Sequence, residues 1–324
     1  MTKRALITGI LGQDGSYLAE LLLKKNMTVL GTTAPGEQPR SPRWLDSDVI
    51  PELMEADLAD ADAMREVVSG FDPDEVYHLA AQSSVAASFE DPLATFDITG
   101  SGALRVLEAV RTQAPTARVM LACSAEMFGQ AEETPQTENT LICPVNPYAV
   151  AKTAAYHGAR VYREAMGVAV SCAILYNHES PRRGDGFVTR KIARGAAQIA
   201  RGKASELLLG NLQAQRDWGA AQDYVRAMWL MLQRPKPDDF IIATGQARSV
   251  GDFCDAAFNH VGLHWQDHVR VSEEFFRPTD PALMCGNSSK AREMLGWQPE
   301  ISFEQMVAAM VDAELALLDG PSQK

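Results

Sequence analysis

The apolar run Ala5-Leu6-Ile7 passes through Thr8 into Gly9-Ile10-Leu11-Gly12-Gln13-Asp14-Gly15, and a helical pattern follows over 16–25. Each glycine of this G-x-x-G-x-x-G turn has a mechanical reason. Gly9 permits a tight exit from a strand, Gly12 lets backbone approach a pyrophosphate, and Gly15 lets the helix pack close to the strand. The amides at the start of such a helix are free to meet phosphate oxygens. A chain that begins this way is constrained to a parallel sheet with crossover helices.

The rest of the first half fits that constraint. Strand-like segments at 28–32, 75–79, 118–122 and 168–175 alternate with helical patterns at 61–69, 93–112 and 147–166. This order predicts an α/β fold, a Rossmann-type doubly wound parallel sheet with helices on both faces. The second half is less regular. Helical patterns at 188–201, 225–233, 250–261 and 303–317 are interrupted by loops rich in Pro, Gly and charge. The expected division is a dinucleotide-binding domain over 1–175, to which 212–250 return, and a smaller mixed α/β C-terminal lobe for substrate over 176–320.

Composition narrows the function. The net charge of −12 argues against nucleic acid as a partner, since phosphate contacts need a basic surface. One local exception is the stretch 182–203, where Arg182, Arg183, Arg190, Lys191, Arg194, Arg201 and Lys203 face a single acid, Asp185, and suggest a basic pocket. No run reaches the roughly 20 apolar residues of a membrane helix. No signal-peptide layout opens the chain, so the expectation is a soluble, cytoplasmic protein with no membrane partner. Five scattered cysteines without a C-x-x-C give neither a disulfide framework nor a zinc site, and the histidine spacing suggests no metal.

Tyr148 and Lys152 are four residues apart in a predicted helix and share a face. A free phenol titrates near 10. A neighbouring ammonium and a cationic nicotinamide ring favour the phenolate, which makes the phenol a usable base. Such a pair is common on helices; its conjunction with the glycine turn points to redox chemistry at an alcohol or ketone carbon. Ser124 and Glu126 follow the 118–122 strand, at the carboxyl edge where open α/β sheets place their sites. Ser124 can hydrogen-bond a substrate oxygen, and Glu126 can remove a carbon-bound proton. For the cofactor, Asp57 and Leu58 are expected near the adenine and Ala80-Ala81 along the ribose and pyrophosphate. After the second strand, 31–36 carry no acid to grip a 2′-hydroxyl, and Arg40 and Arg43 lie nearby. NADP is therefore expected, with NAD left open.

These residues resemble the extended short-chain dehydrogenase/reductase family, and within it the GDP-mannose 4,6-dehydratases. The resemblance runs along nearly the whole chain. It is carried by Gly12-Gln13-Asp14-Gly15-Ser16-Tyr17-Leu18, by Ala80-Ala81-Gln82-Ser83, by Asn177-His178-Glu179-Ser180-Pro181-Arg182-Arg183-Gly184, by Arg216-Asp217-Trp218-Gly219 and by Phe276-Arg277-Pro278-Thr279. It implies a redox-neutral dehydration of a GDP-sugar, with Ser124, Glu126, Tyr148 and Lys152 catalytic. It assigns the nucleotide-sugar to Ser83, Asn177, Lys191, Arg216, Arg277 and Asp280, and implies a homo-oligomer, dimer or tetramer. Three departures stand out. Ala34-Pro35-Gly36-Glu37 replaces the family's arginines and serines, Asp280 replaces a glutamate, and Val145-Asn146 replaces Arg-Ser. A related substrate such as a GDP-heptose, a 4-reductase or epimerase on the same fold, and a cofactor-sensing protein without catalysis are the alternatives.

Overall fold

Ala5, Leu6 and Ile7 are fully buried because their strand, Arg4–Thr8 (β1), has helices on both sides. Side chains alternate across a strand. Leu6 accordingly joins one apolar layer with Val76, Val119 and Ile174, while Ala5 and Ile7 join the opposite layer with Tyr77, Met120 and Ala173. In this computed structural model, which describes residues 2–38, 51–276 and 283–320, seven strands form the main sheet. After β1 come Thr28–Thr33 (β2), Glu52–Glu55 (β3), Glu75–His78 (β4), Arg118–Ser124 (β5), Ala169–Leu175 (β6) and Phe240–Ile242 (β7). Their spatial order is β7-β6-β5-β4-β1-β2-β3, and every neighbouring pair is parallel. The helices Ala61–Phe71, Gly102–Gln113 and Pro147–Ala165 cover one face; Gln13–Lys24, Ala221–Leu232 and Ser289–Leu295 cover the other.

A third apolar cluster gathers helices of the second half of the chain into a lobe. Ile192 and Ala196 of the Val188–Ala200 helix pack with Phe253 and Phe258 of Val250–His260, and with Val307 and Val311 of Phe303–Asp319. Full burial of each of the larger side chains here, Ile, Phe and Val, is worth about 1.5–3 kcal/mol. Short strands edge this lobe. Gln215–Asp217 pairs antiparallel with Ala247–Ser249 and parallel with Leu283–Met284. Gly219 and Ala220 pair with His178 and Glu179, tying the lobe to the end of β6. Among the described residues no helix is long and apolar enough to cross a membrane.

One predicted helix differs in form. The pattern over 93–112 resolves into Pro92–Phe96, a wide π turn over Asp97–Ser101, and Gly102–Gln113. The wide turn brings the Thr99 hydroxyl to the Gln82 amide, which donates to it at 3.1 Å. It also brings Gly100 against the Pro147–Ala165 helix, where an added Cβ would stand 3.4 Å from the Ala151 carbonyl oxygen. Apolar periodicity reports a face, not the number of residues per turn, so the pattern alone did not reveal it.

Candidate active site

The glycine turn is built as its sequence requires. Gly9 adopts φ +73°, and a Cβ there would meet the Ala80 backbone at 2.8 Å. A Cβ on Gly15 would stand 2.5 Å from the Gly9 carbonyl oxygen. At Gly12 the nearest such atom is the Gly9 oxygen at 3.3 Å, and the residue lines the cavity. Gly12 caps the Gln13–Lys24 helix without a side-chain hydrogen bond, so the first amides remain available to an anion. The turn borders a cavity of about 510 Å³ that runs past the tips of β2, β4 and β5.

At the far wall of the cavity, strand β5 delivers Ser124 and the Pro147–Ala165 helix delivers Tyr148 and Lys152. The Lys152 ammonium lies 5.9 Å from the Tyr148 ring centre and donates to the Ala122 carbonyl at 2.7 Å. Burial pushes the Tyr148 phenol well above its ordinary range; its hydrogen bond with Ser124 pulls down and the Glu126 charge pushes up. Burial also pushes the Lys152 ammonium down, against Cys123 and Asp14. In the free protein both groups are thus disfavoured as ions. Glu126 sits one short turn beyond Ser124. Its amide donates to the Ser124 hydroxyl at 3.2 Å, and its carboxylate accepts from Asn146 Nδ2 at 2.9 Å. Below this group, burial and the Lys152 charge lower His78 to about 3, so it is neutral; its Nδ1 is 2.8 Å from the Thr8 hydroxyl.

Gln13 and Asp14 brace the turn against the segment after β6. Gln13 Nε2 donates to the His178 carbonyl (3.1 Å), and the Ser180 hydroxyl donates to Gln13 Oε1 (2.8 Å). Asp14 Oδ2 pairs with His178 Nε2 at 2.8 Å. Burial opposes both charges, yet the pairing outweighs it: Asp14 is lowered and His178 raised. The His178 ring stacks on Tyr224 with centroids 4.6 Å apart. Buried Glu179 pairs with Arg183 at 3.1 Å and accepts from the Thr189 hydroxyl, and Arg183 lies 3.5 Å over the Phe187 ring. Arg183 and Phe187 both line the cavity.

The model of the GDP-mannose 4,6 dehydratase family matches residues 6–310. The chain belongs to that family. It is 47% identical to GDP-mannose 4,6 dehydratase 1 of Arabidopsis thaliana, over 97% of this chain and 90% of the relative. It is 41% identical to a GDP-mannose 4,6-dehydratase of Vibrio cholerae, over 97% and 94%. Among solved structures it is similar in fold to the dTDP-glucose 4,6-dehydratase DesIV of Streptomyces venezuelae, with TM-score 0.84, 22% identity and 96% coverage of each chain.

In this member of the dehydratase family, Gly9, Gly12, Gln13, Asp14, Gly15, Asp57, Leu58, Ala80, Ala81, Ser83, Ser124, Glu126, Tyr148, Lys152 and Asn177 all line the one cavity. Lys191 and Arg216 lie outside its lining. Lys191 stands 3.6 Å over the Phe275 ring, and buried Arg216 donates to the Gln215 carbonyl. Arg277, Asp280, Arg40 and Arg43 fall outside the described residues.

The basic stretch 182–203 does not form a single pocket. Arg182 turns away to Glu20 and Ser16, Arg190 and Arg194 pair with Glu314, and Arg201 pairs with Asp319. His178 and Arg183 also line the cavity, although the sequence assigns neither to catalysis, cofactor or sugar. The available signal was their place directly after β6, at the carboxyl edge of the sheet. Asn146 left a weaker signal, an N-cap residue type just before Pro147.

Proposed function

We propose that this chain is a hydro-lyase converting GDP-mannose to GDP-4-keto-6-deoxy-mannose and water. The observation that carries the reading is the convergence of Ser124, Glu126, Tyr148 and Lys152 on the cavity bordered by the glycine turn. The turn fits a nicotinamide dinucleotide: Gly12 leaves room where a side chain would intrude, and uncapped amides face that room. The bound nicotinamide would supply the acceptor, and later the donor, of the hydrogen and electron pair that leave C4 and arrive at C6.

The chain's own residues manage the protons. Tyr148 takes the proton from the C4 hydroxyl, with Lys152 favouring the phenolate and Ser124 hydrogen-bonding the oxygen. The resulting ketone acidifies the C5–H bond. Glu126 removes that proton and passes it to the C6 hydroxyl, which departs as water when the C6–O bond breaks. The proton held by Tyr148 balances the sequence by returning to C5. Ser83 and Asn177 on the cavity wall bind the sugar, with Lys191, Arg216, Arg277 and Asp280 assigned to the nucleotide.

NADP is the favoured dinucleotide. The β2 tip Thr32-Thr33-Ala34 carries no carboxylate, and Glu37, which also lines the cavity, has its carboxylate engaged by the Ala34 amide at 3.1 Å. Mass spectrometry of released cofactor tests this, since NADP is heavier than NAD by one phosphate. Exposed Leu93, Phe96, Val150 and Val161 on packed helices support a homo-oligomer, dimer or tetramer, and five free thiols support a cytoplasmic setting.

The decisive experiment is incubation with GDP-mannose followed by mass spectrometry. Loss of one water by wild type, abolished in Glu126→Gln, is expected. Undiminished water loss in Glu126→Gln would remove Glu126 as the C5 base, and conversion of GDP-mannose by wild type without loss of water would replace dehydration with a reductase or epimerase reaction.

A further inference from the structure

Asn146 caps the helix that carries Tyr148 and Lys152, and at the same time touches Glu126. We propose that Asn146 is a positioning residue for the C5 base, holding the Glu126 carboxylate in register with Tyr148 through its side-chain amide.

The argument begins with the cap. Asn146 is buried with extended backbone, and its Oδ1 accepts from the Ala149 amide at 2.8 Å. A backbone amide can only donate, so the cap determines which end of the Asn146 amide is oxygen. The other end is therefore Nδ2, a donor, and it stands 2.9 Å from Glu126 Oε2. That donor matches an ionised carboxylate, the form a base must have. With Oε2 engaged, the second carboxylate oxygen is left for the sugar.

The base is then held at both ends. Its main chain is tied to Ser124 and its side chain to Asn146. Because Asn146 is two residues before Tyr148, the proton acceptor for O4 and the base for C5 share one rigid support. A side chain of Glu with three free torsions is otherwise poorly constrained, and small displacements of a reacting group cost rate steeply.

The test separates capping from positioning, and it rests on the dehydration reading. Serine caps a helix about as well as asparagine but is too short to reach from the cap to the Glu126 carboxylate. Asn146→Ser should therefore melt like wild type. Its kcat on GDP-mannose should fall roughly tenfold, with KM little changed. The isotope effect from C5-deuterated GDP-mannose should rise as proton removal becomes more limiting. Asn146→Asp also keeps a cap but puts a carboxylate against Glu126, and its kcat should fall further. Wild-type kcat and an unchanged isotope effect in Asn146→Ser would overturn the proposal while leaving dehydration intact. Wild-type protein inert on GDP-mannose would overturn the dehydration reading, and this proposal with it.

Discussion

Replacing Lys152 by Met removes one charge and keeps most of the volume, which isolates the electrostatic coupling to Tyr148. The ammonium lies 5.9 Å from the phenol ring centre. At an effective dielectric near 20, a unit charge at about 6 Å contributes about 3 kcal/mol, or about two pK units. A cation beside an acid favours its anion and lowers its pKa, so its loss raises the phenol further above a value that burial has already raised. The assay is kcat against pH on GDP-mannose. In Lys152→Met the acid limb that reports the phenolate should move up by about two units, and the rate below that limb should fall about 100-fold. The variant also deprives the Ala122 carbonyl of a donor at 2.7 Å. That costs about 1–3 kcal/mol of stability, read separately by urea denaturation. An acid limb in the wild-type position, in a folded variant, would refute the assignment of Lys152 as the group that makes Tyr148 a base.

Three other perturbations read different parts of the architecture. Gly15→Ala places a Cβ 2.5 Å from the Gly9 carbonyl oxygen, a backbone atom that cannot swing aside; a loss of about 1–3 kcal/mol in urea melts and weakened dinucleotide binding by fluorescence titration are expected. Asp14→Asn breaks the partly buried pair with His178. Asp14 is lowered, so its stabilisation is present above about pH 4 and lost as pH falls through the depressed value. His178 is raised, so its share is present below about pH 6.5 and lost as pH rises through the raised value. The wild-type melting temperature should gain most from the pair between those limits, and Asp14→Asn should flatten that maximum. Glu314→Gln leaves the buried Arg190 guanidinium with Asp185 at 3.4 Å as its remaining carboxylate and should cost about 1–3 kcal/mol by denaturant melts. Melts within about 0.5 kcal/mol of wild type would make the pair a surface feature.

The parts of this molecule legible in the sequence are those set by neighbours along the chain. Ala5-Leu6-Ile7 could be read as a strand buried on both faces, because an unbroken apolar run bounded by glycine suits a central parallel strand. Tyr148 and Lys152 could be placed on one face because they are one helical turn apart. Glu126 could be suspected because it follows a strand end directly. In each case the physical cause acts over a few residues, and the sequence displays it.

Long-range pairing was not legible in that way. Arg182 and Arg183 are adjacent and identical in type, yet one reaches Glu20 across the molecule and the other faces the cavity. The basic stretch 182–203 reads as a pocket until the Phe303–Asp319 helix brings Glu314 and Asp319 against it. Asn146 shows the same limit at the site itself. Its role as a cap is local and visible, whereas its contact with Glu126 spans twenty residues and depends on the intervening loop closing back past Gly129. There, φ is +55° and an added Cβ would stand 1.9 Å from the Cys143 carbonyl oxygen. A glycine that reads in sequence as an ordinary turn residue is thus a condition for the close chain crossing that brings the helix cap to the base.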